Sequence, residues 1–175
     1  MEFFDTLARK KACRDFTEEP VSEDQLHRLL YAAKRAPTAS NIPYRHFILV
    51  DDSRVIRAIK QMSPSFLANP RVIIVVFTDM KVALEKTGRV AEFSSLVDAG
   101  ASGENILLAA TDLGLGSQFT MISHMAGIRK VLGLPDHCRV DLIIPIGYPA
   151  KGAKSSKARK GANAVYHNQY GVVYE

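Results

Sequence analysis

Apolar and small residues run around the whole circumference of residues 98–119, DAGASGENILLAATDLGLGSQF, so this stretch is predicted to be the central buried helix of the fold. Its first half, Ala99-Gly100-Ala101-Ser102-Gly103, lets another backbone approach closely, and its second half, Ile106-Leu107-Leu108-Ala109-Ala110, fills volume. A second helix is expected against the small residues, from this chain or from another subunit. Gly114 stands where a left-handed residue would end the helix, and Gly116 opens an extended run, Ser117-Gln118-Phe119-Thr120.

Shorter patterns order the rest of the chain. Phe3, Phe4, Leu7 and Ala8 fall at helical spacing ahead of Arg9-Lys10-Lys11, predicting a short first helix that ends in positive charge, with an extended segment through Arg14-Asp15-Phe16. Ser22 precedes Glu23-Asp24-Gln25 as a capping box, and Leu26, Leu29, Leu30 and Ala33 form one stripe of a helix that must stop before Pro37. Residues 36–43 are rich in short hydrogen-bonding side chains and stiffened by two prolines, hence an ordered loop leading to a strand at 46–50. Ser53 can cap a helix carrying Val55, Ile56 and Ile59, and 71–78 reads as a fully buried strand. Residues 79–93 are weakly helical and ambiguous. Ile128, Val131 and Leu132 mark a short helix closed by Gly133-Leu134-Pro135, followed by a buried strand at 140–147. A basic, small-residue linker at 150–161 leads to an apolar tail, Val165, Tyr166, Tyr170, Val172, Val173 and Tyr174, which needs something to pack on. No repeat or domain boundary interrupts this order, so a single domain over 1–175 is expected, of α+β or α/β class.

The 175 residues are 47% hydrophobic and 23% charged, enough for a sizeable core. The longest apolar run, 72–77, is far too short to span a membrane, and the first residues include Glu2 and Asp5 rather than a basic-then-apolar signal, which predicts a soluble cytoplasmic protein. Cys13 and Cys138 lack metal-like spacing and read as incidental buried thiols. The net charge of +5 permits an anionic partner: nucleic acid, an acidic substrate or a phosphate-bearing cofactor. Two basic clusters lie at opposite ends, Arg9-Lys10-Lys11 with Arg14, and Lys154, Lys157, Arg159 with Lys160. Each alone reads as solvated charge; together they could surround one phosphate, through charge-assisted hydrogen bonds of about 1.5–3 kcal/mol each. No Walker loop and no GxGxxG follows a strand, Ser117 lacks the glycine of a nucleophile elbow, and His124 and His137 have no evident carboxylate partner. A non-catalytic module binding nucleic acid or another anion would interleave aromatic residues with the basic ones, which is not the pattern here.

Lys10-Lys11-Ala12-Cys13-Arg14-Asp15-Phe16 resembles the amino-terminal motif of the nitroreductase family, FMN-dependent oxidoreductases whose homodimers hold two flavins at the subunit interface; Ala12 stands where serine is usual. Ala36-Pro37-Thr38-Ala39-Ser40-Asn41-Ile42-Pro43-Tyr44 is similar to the family loop A-P-S-x-x-N-x-Q-P-W in shortened form, with Ile42 in place of glutamine. The 98–117 segment resembles the family's long interface helix, and Leu132-Gly133-Leu134-Pro135 and Ile146-Gly147-Tyr148-Pro149 fit its later landmarks.

The resemblance implies an α+β three-layer sandwich, a mixed central sheet flanked by helices, in an intertwined homodimer. It implies FMN as cofactor, NADH or NADPH as donor and a small-molecule electron acceptor of the nitroaromatic or quinone class, with no nucleic acid and no membrane as partner. Relatives with the same fold that act as dehalogenases, enone reductases or flavin-modifying enzymes are the alternative. Lys10 and Lys11 would face the FMN phosphate and ribityl chain, Ala12 would offer its backbone, and Arg14 would lie near flavin N1 and O2. Pro37, Thr38, Ala39, Ser40 and Asn41 would reach across the dimer to the partner's isoalloxazine. Thr120, Met121 and Ile122 would border the ring near N5 through backbone groups, and Lys157 and Arg159 would clamp the phosphate. Flavin and water can supply the protons, so no side chain is expected to act as acid or base.

Overall fold

The computed structural model describes residues 2–63, 66, 68–120, 122–153 and 165–174. Its centre is a sheet in which β2 (Val72–Asp79) lies between β1 (Arg45–Val50) and β4 (Cys138–Gly147), with the two-residue β3 (Gly116–Ser117) on the far side of β4. All three strand pairings are antiparallel, and an isolated bridge from Ala12 to Ser117 adds a parallel contact at the β3 edge.

β2 lacks polar alternation because both of its faces are covered. Val72, Ile74 and Val76 join Ile144 and Ile146 of β4 in one apolar cluster, while Ile73 and Val75 join Val140 and Ile143 in another. Helices α2 (Glu23–Lys34) and α5 (Ala91–Asp112) cover the first face; α3 (Ser53–Gln61) and α6 (Met125–Val131) cover the second. Burial of each such side chain contributes about 1.5–3 kcal/mol. The architecture is therefore α+β in three layers, as expected, but the sheet is antiparallel rather than mixed, the Ala12–Ser117 bridge being the one parallel contact at its edge among the described residues. Between Val76 and Phe77 the β2–β4 register shifts, and Asp141 is skipped. Its carboxylate, nearly enclosed at 1% exposure, accepts from Thr78 Oγ1 at 2.5 Å and from Arg139 Nε at 2.6 Å.

Several ends follow the local chemistry. Ser22 and Gln25 form the reciprocal capping box of α2, and Gly114 and Gly133 take positive φ of 75° and 66° after α5 and α6. Asp52, not Ser53, caps α3: its carboxylate accepts from Arg54 N at 2.8 Å. His124 caps α6, its ring Nδ1 accepting from Gly127 N at 2.9 Å. The ambiguous 79–93 region resolves into α4 (Met80–Thr87), a 3₁₀ turn at Gly88–Val90 and the first turn of α5.

Within the segment predicted to be a buried helix, residues 98–113 are all buried or half-buried as expected, but α5 begins seven residues earlier and its added turns are exposed on one side. Ala91, Ser95, Asp98, Ala99, Ser102, Gly103, Ile106 and Ala110 face the core, but Phe93, Leu96 and Val97 are 73%, 51% and 54% exposed. Beside α5 lies α1 (Phe3–Arg9), whose Phe3 and Phe4 are also exposed. In the tail, Tyr166 pairs with Val173, and the surrounding tyrosines and valines stay exposed. Among the described residues no helix is long and apolar enough to cross a membrane, and no His/Cys/Asp/Glu group could hold a metal ion.

Candidate active site

The first basic cluster is fixed in place by backbone. Cys13 N donates to Ser117 O at 3.1 Å, Thr17 N to Tyr148 O at 2.8 Å and Ala150 N to Asp15 O at 2.9 Å, so the segment after α1 is laid along β3 and the end of β4. Gly116 makes this approach possible: a Cβ there would lie 2.7 Å from both Cβ and Sγ of Cys13. The Cys13 thiol is buried against it, donates to Asp15 O at 3.4 Å, and has its pKa raised chiefly by burial, so it stays protonated and unreactive near neutral pH.

Two clefts flank this segment and share Lys11 and Ala12. One, of about 280 Å³, is lined by Lys10, Lys11, Arg14, Ser117, Gln118 and Phe119. The other, of about 320 Å³, has Arg9, Lys11, Cys13 and Ala153 on its walls. Lys10, Lys11, Ala12 and Arg14 thus line one and the same cleft. Ala153 is the last described residue before 154–164, so Lys157 and Arg159 lie outside the described residues. Lys10 is ion-paired to Glu104 of α5 at 3.1 Å, and Arg14 Nε donates to Gln118 Oε1 at 3.0 Å.

The segment beyond β3 stays close to the same cleft. The Phe119 ring sits over Gly103 of α5, where a Cβ would be 2.6 Å from its Cε1. Thr120 N donates to Ile143 O at 3.0 Å; its hydroxyl is buried and has no protein partner. Met121 lies outside the described residues, and the side chain of Ile122 packs into the α3/α6 cluster.

The loop carrying Pro37, Thr38, Ala39, Ser40 and Asn41 does not line either cleft. Pro37, Thr38 and Asn41 border a separate recess of about 440 Å³, with Lys34, Arg35 and Arg45. Its conformation is imposed from α5. Asp98 Oδ2 accepts from Ala39 N at 2.9 Å and from Tyr44 Oη at 2.5 Å, while Arg45 Nη1 donates to Pro37 O at 2.9 Å and Asp98 O at 2.8 Å, and Nη2 to Ala36 O at 3.0 Å. Burial, and then the Asp98 carboxylate, push the Tyr44 hydroxyl pKa up, so it remains a donor. Ser40 and Asn41 are held at φ of 54° and 55°, a left-handed conformation costing about 1–2 kcal/mol per non-glycine residue.

Comparison with known proteins places this geometry. The model of the nitroreductase family matches residues 7–70 and 57–148. The chain belongs to the nitroreductase family. This nitroreductase-family chain is 32% identical over 149 residues to an Archaeoglobus fulgidus protein provisionally named an NADH dehydrogenase/NAD(P)H nitroreductase, covering 80% of this chain and 81% of that one. It is 26% identical to a Bacillus subtilis protein named FMN reductase (NADPH), covering 96% and 74%. A solved structure from Bacteroides thetaiotaomicron, with the same provisional name as the Archaeoglobus protein, superposes at a TM-score of 0.84 with 26% identity, over 96% of this chain and 98% of that one.

The family motifs pointed to Lys10, Lys11, Ala12 and Arg14 but not to Gln118, Glu104, Asp98, Tyr44 or Arg45 as the residues that hold the site's parts. Asp98 carried the one available signal: a carboxylate inside an otherwise apolar and small-residue helix face needs a buried donor.

Proposed function

We propose that this chain is an FMN-dependent NAD(P)H oxidoreductase, a single cytoplasmic domain over 1–175 that works as a homodimer with a flavin in each interfacial cleft. The observation that carries the reading is the cationic segment Lys10–Arg14 pinned beside Gln118. Lys10, Lys11 and Arg14 supply positive donors and Gln118 an amide, a donor set suited to a phosphate at one end and a polar ring edge at the other. The FMN reductase name of the Bacillus relative supports the same cofactor.

Lys10 and Lys11 hold the phosphate and ribityl chain with the backbone of Ala12, and Lys157 and Arg159 complete the phosphate grip. Because Ala12 brings no hydroxyl, this grip rests on cations and weakens with salt. Arg14 stabilises negative charge at the N1–O2 edge, and Thr120, Met121 and Ile122 border the ring. Held by these residues, FMN would supply the redox chemistry, hydride acceptance from NADH or NADPH at N5 and its transfer to a nitroaromatic or quinone in alternating half-reactions.

A second copy accounts for what one copy leaves unfinished. Phe93, Leu96 and Val97 of α5, and Phe3 and Phe4 of α1, are exposed apolar side chains that association would bury. The loop Pro37–Asn41, absent from its own chain's clefts, then serves the partner's cleft, and the tyrosine-rich tail gains a surface to cover.

The purified protein is expected to be yellow and dimeric, to bind FMN, and to oxidise NADH or NADPH with nitroaromatics and quinones tested alongside enones, halogenated aromatics and free flavins. A colourless monomer that ignores added FMN overturns the proposal, the more so if it binds DNA in a salt-dependent way.

A further inference from the structure

We propose that Gln118 is the positioning residue for Arg14 and that the two side chains form one donor pair that reads the acceptor edge of the flavin pyrimidine ring; this rests on the reading of the cleft as an FMN site. Arg14 is an exposed side chain on an extended segment, and a free arginine gives up about 2 kcal/mol of rotamer entropy when a ligand fixes it. Gln118 is 8% exposed and belongs to the run that follows β3, so its own position is set by the fold. The Ala12–Ser117 bridge fixes the relative register of the two segments, and within that register Arg14 Nε meets Gln118 Oε1 at 3.0 Å.

The chemistry of the pair is one-sided. A guanidinium only donates, so the amide must turn its oxygen to Arg14, which leaves its N–H₂ as the group still available to a ligand in the cleft that Gln118 lines. With Nε engaged, the two terminal nitrogens of Arg14 remain. The pair therefore offers several N–H donors and one positive charge, and its amide oxygen is already used. That set suits adjacent acceptors, such as N1 and the C2 carbonyl of the flavin, and suits them better when reduction places negative charge there. Glutamate at 118 would keep the acceptor for Arg14 but cancel the charge; leucine would release Arg14 altogether.

The test uses the full-length protein loaded with FMN, and reads the dissociation constants of oxidised and reduced FMN, the midpoint potential and the thermal midpoint. For Gln118→Leu, reduced FMN is expected to bind about tenfold more weakly relative to oxidised FMN, a downward potential shift of about 30 mV for this two-electron couple. Gln118→Glu should keep oxidised FMN within about threefold of the parent while lowering the potential at least as far, and as a near-isosteric change it carries the test if the leucine variant fails to fold. Because Gln118 acts partly through Arg14 and partly through its own amide, Gln118→Leu placed in an Arg14→Ala background should shift the potential by clearly less than it does in the parent. Unchanged potentials in both Gln118 variants, or a leucine effect as large without Arg14 as with it, overturn the inference. A parent protein that does not bind FMN instead overturns the reading of the site, so the two failures are distinct.

Discussion

Replacing Asp98 by alanine tests whether α5 holds the loop Ala36–Asn41. The carboxylate oxygen that accepts from Ala39 N and Tyr44 Oη would be lost, and Tyr44 is fully buried, so its hydroxyl would be left without that acceptor. Hydrogen bonds to a charged group are worth about 1.5–3 kcal/mol each, so two of them set an upper bound near 6 kcal/mol. Two effects reduce it: the variant no longer desolvates a buried carboxylate, and the loop can relax the left-handed turn at Ser40 and Asn41. The expected net loss is about 2–4 kcal/mol. Asp98→Asn keeps one acceptor oxygen for both donors, and should cost only about 1 kcal/mol. Urea unfolding of both variants gives the stability, and hydrogen exchange at Ala39 reports the clamp directly. The reasoning fails if Asp98→Ala loses less than about 0.5 kcal/mol, the range of an ordinary surface substitution, while the Ala39 amide stays protected.

Three further outcomes follow from the geometry. Glu104→Gln frees Lys10 from a half-exposed ion pair worth up to about 1 kcal/mol, so FMN affinity should rise up to about fivefold by fluorescence titration at low salt; weaker binding would contradict the assignment of Lys10 to the phosphate. Gly116→Ala drives a Cβ into Cys13 and pushes the Lys10–Arg14 segment off β3, which should cost about 1–3 kcal/mol in unfolding experiments and weaken FMN binding at least tenfold, whereas unchanged binding would detach the cleft from this register. Burial holds the Asp141 carboxyl above the ordinary aspartate range despite its bonds to Thr78 and Arg139, so the folded state keeps this proton to higher pH than the unfolded chain does. Its stabilising effect is complete below the unfolded value of about 3.9 and is lost as pH rises through the folded value. The stability of the parent relative to Asp141→Asn should therefore fall as pH climbs from about 3.5 toward neutral, and parallel curves would refute this.

The elements legible in the sequence are those whose signal is local. β2 announces itself as a run with no polar alternation, and α2 through a capping box followed by a stripe. The 79–93 region was not legible because its break depends on Gly88 adopting a φ of 62°, which no periodicity reports. Ser53 and Asp52 are adjacent and equally able to cap, and only the backbone geometry chooses between them. The all-round burial of 98–113 was legible, but not that α5 starts at Ala91 with Phe93, Leu96 and Val97 exposed. At the site, the basic motif around Lys10–Arg14 could be read by family resemblance. The partner of Arg14 stands 104 positions away at Gln118, and that of Lys10 on the far helix at Glu104, pairings that exist only once β3 has met the amino-terminal segment.

Asp98 ties the loop Ala36–Asn41 to a helix whose opposite flank is the bare apolar stripe of Phe93, Leu96 and Val97. If each copy lends that loop to its neighbour's cleft, damage to the loop and damage to the cleft strike different catalytic units. A subunit crippled at Asp98 and another crippled at Arg14 would then rebuild one sound unit when they pair, although neither works alone. Defective alleles of this gene should accordingly complement one another across the two classes and fail to do so within a class, as measured by activity after co-expression.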